Sequence, residues 1–264
     1  MCLLAVLYKI VPRYPIVLAA NRDEYYDRQG EPPRVWEGAA TFVAPKDARA
    51  GGTWIGCNSY ETVVAVTNRR ASRFDRKLRS RGLLCADLLE TAFPAEAARV
   101  LVNRVARCPC NGFNLFCAGS GQGFVVHYEG SVLFRDLRPG IHVLSNGDLN
   151  DEASWKVSHT RSLLEKLDLK DVRSLVTDLK IVCADHEPDP RADASREPAA
   201  GDDDGPICLH GRGFGTLSST IMALGEEPAK SIYLHAQGSP CTTPYEDYSE
   251  MLRSILVRAK WAGR

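Results

Sequence analysis

The chain lacks an excess of charge of either sign: Lys plus Arg is 33 and Asp plus Glu is 33 over 264 residues. A sequence-independent nucleic-acid binder needs a surplus of Lys and Arg to neutralise phosphates, so that class is excluded. No apolar run reaches the roughly 18 residues of a membrane-spanning helix, and no transmembrane segment is expected. The six histidines and nine cysteines contain no C-x-x-C or H-x-x-x-H spacing. No zinc motif is therefore legible, and neither a metal nor a cofactor is expected. A basic stretch ahead of the first apolar segment is also missing, and Lys9, Pro12, Arg13 and Pro15 interrupt that segment, which argues against a secretory signal. The cysteines are odd in number and sit mostly inside apolar runs, as buried thiols do in a reducing compartment. A cytoplasmic protein is expected. No internal repeat is visible. Hydrophobic residues at 44% and charged residues at 25% are the balance of a chain that builds a core.

Short apolar runs bracketed by Gly, Pro and Asn predict strands, and i, i+3, i+4 apolar spacing predicts helices. Residues 2–10 and 16–21 read as a hairpin, and 53–57 with 62–67 as a second strand pair. Helices are expected at 82–93 and 95–107, then strands at 113–118, 123–128, 131–135 and 141–145. Two further helices (154–168 and 170–183), strands near 216–224 and 230–236, and a helix near 245–259 complete the chain. Residues 185–206 carry eight acidic side chains and no apolar periodicity, the composition of a mobile acidic loop. Alternating strand and helix blocks imply two helix-covered sheets in one domain spanning 2–264.

Cys2 follows the initiator Met directly. Removal of Met1 would give Cys2 both a thiol and an α-amine, a nucleophile and base in one residue. The α-amine titrates at about 7.7–8.0, near the pH at which a general base works best.

The motifs around it carry a resemblance. Leu18-Ala19-Ala20-Asn21-Arg22-Asp23-Glu24, Gly51-Gly52-Thr53-Trp54-Ile55-Gly56, Val66-Thr67-Asn68, Asn111-Gly112-Phe113-Asn114-Leu115 and Leu144-Ser145-Asn146 resemble the NRDE family, also called the transport and Golgi organization protein 2 family. The resemblance covers most of the chain from Cys2 to about Ile221. That family is in turn similar to N-terminal nucleophile hydrolases of the bile-salt hydrolase and penicillin V acylase type. The resemblance implies an α/β (α+β) fold, a four-layer αββα sandwich. It also implies a site in which Cys2 attacks, Arg22 supports the thiolate, Asp23 anchors the α-amine, and Asn68 and Asn146 donate to an oxyanion.

Two features bear on the ligand. The family pattern Gly-Thr-Arg-x-x-Thr reads Gly215-Thr216-Leu217-Ser218-Ser219-Thr220 here, so Leu217 stands in place of an Arg that orients site and substrate. Arg69, Arg70, Arg73, Arg76, Lys77, Arg79 and Arg81 follow Asn68 in a basic run able to capture a carboxylate, phosphate or propionate. Arg69, Arg70, Thr216 and Leu217 are thus candidate ligand contacts. The expected function is cleavage of a non-peptide carbon–nitrogen bond in a small-molecule amide. The alternative implied by the resemblance is a non-catalytic carrier of haem or acyl-CoA on the same fold. The sequence leaves the oligomeric state open.

Overall fold

The computed structural model describes residues 3–69, 74–191 and 205–262. In chain order the elements are β1 (Leu3–Val11), β2 (Tyr14–Tyr25), β3 (Gly30–Trp36), β4 (Phe42–Asp47), β5 (Ile55–Asn58), β6 (Val63–Asn68), α1 (Arg81–Leu89) and α2 (Pro94–Arg107). Then come β7 (Phe113–Ala118), β8 (Gly123–Tyr128), β9 (Val132–Asp136), β10 (Gly140–Leu144), α3 (Trp155–Leu164) and α4 (Val172–Cys183). β11 (Phe214–Leu224), β12 (Ile232–Ala236), β13 (Glu246–Asp247) and α5 (Ser249–Ala262) close the fold. Met1, Cys2, residues 70–73 and most of the predicted acidic loop (192–204) lie outside the described residues.

The strands form two antiparallel sheets. The first runs β10-β1-β2-β11-β12-β13 and the second β3-β4-β5-β6-β7-β8-β9. Side-chain alternation along β1 explains how they stack. Leu3, Ala5 and Leu7 pack with Val157 and Leu164 of α3 and Leu175, Val176 and Leu179 of α4. Leu4, Val6 and Tyr8 face the other way, into the core shared with the second sheet, α1 and α2. The layers are therefore α3/α4, first sheet, second sheet and α1/α2, the four-layer αββα sandwich implied by the family resemblance. Helix α5 lies against β12, β4 and β5, burying Leu252, Ile255 and Leu256 in the same inter-sheet core. The Tyr8 hydroxyl donates to the Gly119 carbonyl at 3.2 Å, a polar tie between the sheets.

Helix starts follow local chemistry. Ser80 caps α1 by accepting from the Gly82 N–H, Pro94 opens α2, and Asp171 accepts from the Arg173 and Ser174 N–H groups at the start of α4. Each relieves backbone donors that a helix N-terminus leaves unpaired, or removes one. The strands β3 and β4 were not foreseen. β3 contains Pro32 and Pro33 and forms the sheet edge, where a missing N–H costs no ladder bond.

The Gly51-Gly52-Thr53-Trp54 segment has a steric reason for its glycines. Gly51 has φ +76°, a conformation that favours glycine. A Cβ on Gly52 would meet the Gly82 carbonyl carbon at 2.2 Å, because the Thr53 N–H donates to the Gly82 carbonyl at 3.0 Å. Gly52→Ala must push this loop off α1 and is expected to destabilise the fold by about 1–3 kcal/mol. Urea unfolding reads this as a lower midpoint at unchanged slope.

Candidate active site

The N-terminal end of β1 opens between two strands. Leu3 pairs with Asn21 on β2, and Leu4 pairs with Leu144 on β10, the residue before Ser145 and Asn146. Arg22 and Asp23 follow Asn21 directly, so the sequence-predicted residues from both flanks converge on this end of the strand. Cys2 and Arg70 themselves lie outside the described residues.

β2 runs past the predicted strand 16–21 to Tyr25, so Arg22 and Asp23 lie within it. Neighbours in a strand point to opposite faces, and these two serve different layers. The Arg22 guanidinium faces the second sheet, 4.5 Å over the Trp54 ring, and donates to the Arg28 carbonyl at 3.0 Å. Arg28 in turn forks between Glu24 at 3.2 Å and Asp47 at 2.7 Å. Burial alone would raise the Asp47 carboxyl. The Arg28 hydrogen bond and charge, with the Ala50 and Arg49 N–H groups, outweigh it and hold the carboxyl below its ordinary value.

Asp23 faces the helix layer. Its Oδ2 lies 3.2 Å from Lys156 Nζ, and both side chains are only 1% exposed. Its Oδ1 accepts from the Thr216 hydroxyl at 2.6 Å, and Thr216 Oγ1 accepts from the Leu209 N–H at 2.9 Å. Thr216 is therefore a support for Asp23 in this structure. Lys156 was not foreseen: a lysine in the first turn of a helix reads as a surface residue, and only tertiary packing buries it.

Leu217 occupies a β-bulge. Thr216 pairs with Asp23 and Ser218 with Arg22, leaving Leu217 as the extra residue opposite that junction. It is half-buried. Bulges re-aim side chains and concentrate beside active sites.

Asn68 and Asn146 come together. Asn146 is 1% exposed and its Nδ2 donates to the Asn68 carbonyl at 2.9 Å, bridging the end of β6 to the end of β10. The Thr67 hydroxyl reinforces this by donating to the Ser145 carbonyl at 2.7 Å. Arg69 also holds this junction. Its guanidinium reaches Glu129 at 2.8 Å, Asp148 at 2.7 Å, the Asn114 Oδ1 at 3.2 Å and the Gly147 carbonyl at 3.1 Å. That is the work of a loop clamp, and it leaves the reading of Arg69 as a ligand contact without geometric support here. The described members of the basic run are dispersed: Arg79 pairs with Asp87 at 3.0 Å, Arg81 donates to the Gly112 carbonyl at 3.0 Å, and Arg76 and Lys77 are exposed.

His235 completes the inter-sheet side of the site. Its Nδ1 lies 2.9 Å from the Thr220 hydroxyl and its Nε2 3.1 Å from Gln237 Oε1. Burial first, and the Arg22 charge with it, push the ring down to about 4 against the contrary pull of Gln237 and Glu246. Among the described residues two groups of metal-capable side chains also converge: His186, Cys208, His210 and Cys241, and separately His159, Asp185 and Glu187.

With this geometry in view, comparison with known proteins is decisive at the family level. A sequence profile for Transport and Golgi organisation 2 matches residues 1–234. The chain belongs to that family. The "Transport and Golgi organization protein 2 homolog" of Bos taurus is 32% identical over 170 residues, covering 59% of this chain and 60% of the relative. That of Homo sapiens is 31% identical over the same shares. The alignment thus spans 60% of the length of these curated Transport and Golgi organization relatives. Among solved structures, a Caenorhabditis elegans ortholog of N-acylethanolamine-hydrolyzing acid amidase superposes with TM-score 0.52 at 16% identity, covering 86% of this chain and 94% of that one. This likeness establishes an N-terminal nucleophile hydrolase-type fold for this Transport and Golgi organisation 2 chain. No helix among the described residues is long and apolar enough to cross a membrane.

Two tests of the site follow. Asp23→Ala and Lys156→Ala should each cost roughly 3–5 kcal/mol, since either leaves a buried charge without its partner. The double variant should cost less than the sum, and a double-mutant cycle in urea measures the coupling. The second test is pH. An unfolded-state His takes up a proton near 6.5, whereas folded His235 resists to about 4. The unfolded state therefore binds more protons between these values, and stability should fall by about 3 kcal/mol as pH drops through that window. His235→Gln should remove this part of the slope in pH-dependent unfolding.

Proposed function

We propose that this chain is an N-terminal nucleophile amidase that cleaves a non-peptide amide bond of a small molecule, with Cys2 as nucleophile once Met1 is removed. The observation that carries the reading is the convergence of Arg22, Asp23, Asn68 and Asn146 on the open end of β1, on a fold shared with an amidase ortholog. In this reading the α-amine takes the thiol proton and the sulfur attacks the amide carbon. Asn68 and Asn146 stabilise the oxyanion. Return of the proton to the leaving nitrogen breaks the C–N bond, and water then hydrolyses the thioester to release the acid and regenerate the thiol. Asp23, held by Lys156 and Thr216, lies on the helix face of β2, while the Arg22 charge lies on the inter-sheet face. In this reading Asp23 is the partner of the amine and Arg22 that of the thiol.

A second reading has one feature in its favour. Leu217 replaces a cation with an apolar, half-buried side chain at the bulge, which suits a carrier of haem or acyl-CoA better than a site that orients a substrate carboxylate.

Intact mass spectrometry and competitive alkylation test the nucleophile. Met1 should be absent and Cys2 should label before the exposed Cys108 and Cys241. Burial pushes the Cys57, Cys85 and Cys117 thiols far up and keeps them inert. On a panel of N-acyl amides, Asn68→Ala should reduce kcat by roughly 10²–10³-fold, the usual cost of an oxyanion donor. Leu217→Arg decides between the two readings: faster amide cleavage favours the amidase, and weakened haem or acyl-CoA binding without turnover favours the carrier. A retained Met1 or a slow Cys2 overturns the nucleophile.

A further inference from the structure

Three separate segments meet beside β11. His186 follows α4, Cys208 and His210 precede β11, and Cys241 lies in the turn after β12. One donor atom from each of these four residues lies within 4.8 Å of all the others. Cys208 Sγ is 3.6 Å from Cys241 Sγ and 3.8 Å from His210 Nε2. His210 Nε2 is 3.1 Å from Cys241 Sγ.

We propose that His186, Cys208, His210 and Cys241 form a structural zinc site. Zinc–sulfur bonds of about 2.3 Å and zinc–nitrogen bonds of about 2.0–2.1 Å at tetrahedral angles place sulfurs about 3.8 Å apart and sulfur about 3.6 Å from nitrogen. The three spacings observed depart from these by about 0.5 Å at most. Two thiolates with two imidazoles in a tetrahedral arrangement select zinc over harder or square-planar ions. Binding releases the two thiol protons, and two thiolates neutralise the dication, which suits a cluster whose Cys208 is buried.

The support around the ligands has the form such sites use. The His186 Nδ1 lies 2.9 Å from the Cys208 carbonyl. A carbonyl only accepts, so Nδ1 carries the proton and Nε2 keeps its lone pair for a metal. The Cys208 N–H donates to the Asp185 carbonyl at 2.8 Å, fixing the two segments relative to each other. A disulfide accounts for less. Its sulfurs must close to about 2.05 Å, and it gives the imidazoles no role. Four protein ligands leave no open position, so the role is to hold segments together, with no part in catalysis. The spacing hid this site from the sequence: only Cys208 and His210 are near neighbours, while Cys208 and Cys241 are 33 residues apart.

The test uses the full chain, purified under reducing conditions, stripped with a chelator and titrated with Co²⁺ and then Zn²⁺. Cobalt should bind at about one per chain, with the visible bands of a tetrahedral ion and near-ultraviolet thiolate-to-cobalt bands, and zinc should erase both. Cys241→Ser and His210→Gln alter exposed side chains, and far-ultraviolet circular dichroism confirms that each variant is folded before titration. Each should weaken binding by at least roughly a hundredfold, the upper range for loss of even an outer partner, and Cys241→Ser should also diminish the thiolate bands. Cys108→Ser should change nothing. Absence of stoichiometric cobalt binding, thiolate bands indifferent to Cys241→Ser, or a Cys208–Cys241 disulfide in the reduced preparation would each overturn the site. None of these outcomes depends on whether Cys2 is a nucleophile.

Discussion

A buried carboxylate organises the first sheet. Asp23 is removed from water on the helix face of β2, and an isolated charge there would cost several kcal/mol. Lys156 from α3 and the Thr216 hydroxyl from β11 offset that cost together. Three elements distant in sequence are thereby fixed at one point. The position of α3 over the sheet, the register of β11 against β2, and the approach of the Leu209 segment through its N–H to Thr216 all follow. The hydrophobic layers supply the bulk of the stabilisation, but they are non-directional. The ion pair and its hydroxyl define which surfaces meet.

The second sheet is attached by a different device. Arg22 extends over Trp54 across the interface, with Arg28, Glu24 and Asp47 supporting it from behind. Further along, Asn146 and Thr67 join the ends of β10 and β6, and Arg69 clamps the following loop. Polar ties therefore cluster at one end of the sandwich, the end where β1 begins. At the opposite end the described polar ties are fewer: the Tyr8 hydroxyl donates to the Gly119 carbonyl and the Lys9 ammonium to the Gly121 carbonyl, beside apolar packing. A site needs rigid placement of polar groups, and this asymmetry provides it where the candidate residues lie.

Much of this was legible in the sequence, for identifiable reasons. β7 and β8 were read to the residue because Gly119, Gly121 and Gly130 punctuate two clean apolar runs. Motif resemblance singled out Arg22, Asp23, Asn68 and Asn146; in the structure Asn146 bonds the Asn68 carbonyl, while Arg22 and Asp23 serve opposite faces of β2. What was not legible depends on tertiary context. β3 and β4 carry Pro32, Pro33, Pro45 and charged residues that mask alternation. Lys156 and His235 look like ordinary surface residues until packing buries them. Arg69 looked available for a ligand because sequence shows a cation and not its partners Glu129 and Asp148.

The bulge at Leu217 has a consequence for the parity of the whole strand. Beyond it, odd-numbered Ile221 and Ala223 face the helices while even-numbered Met222 and Leu224 face the second sheet. Before it, even-numbered Thr216 faces the helix side, where Asp23 waits. The inserted residue thus inverts the phase of β11 midway, so that both halves present the correct face to two different neighbours. A strand of uniform phase would turn the Thr216 hydroxyl into the inter-sheet core and strip Asp23 of one partner. The chemical identity of residue 217 is therefore a secondary matter to the fold, whereas its presence as a unit of length is what keeps the two halves of the strand in register with the layers they serve.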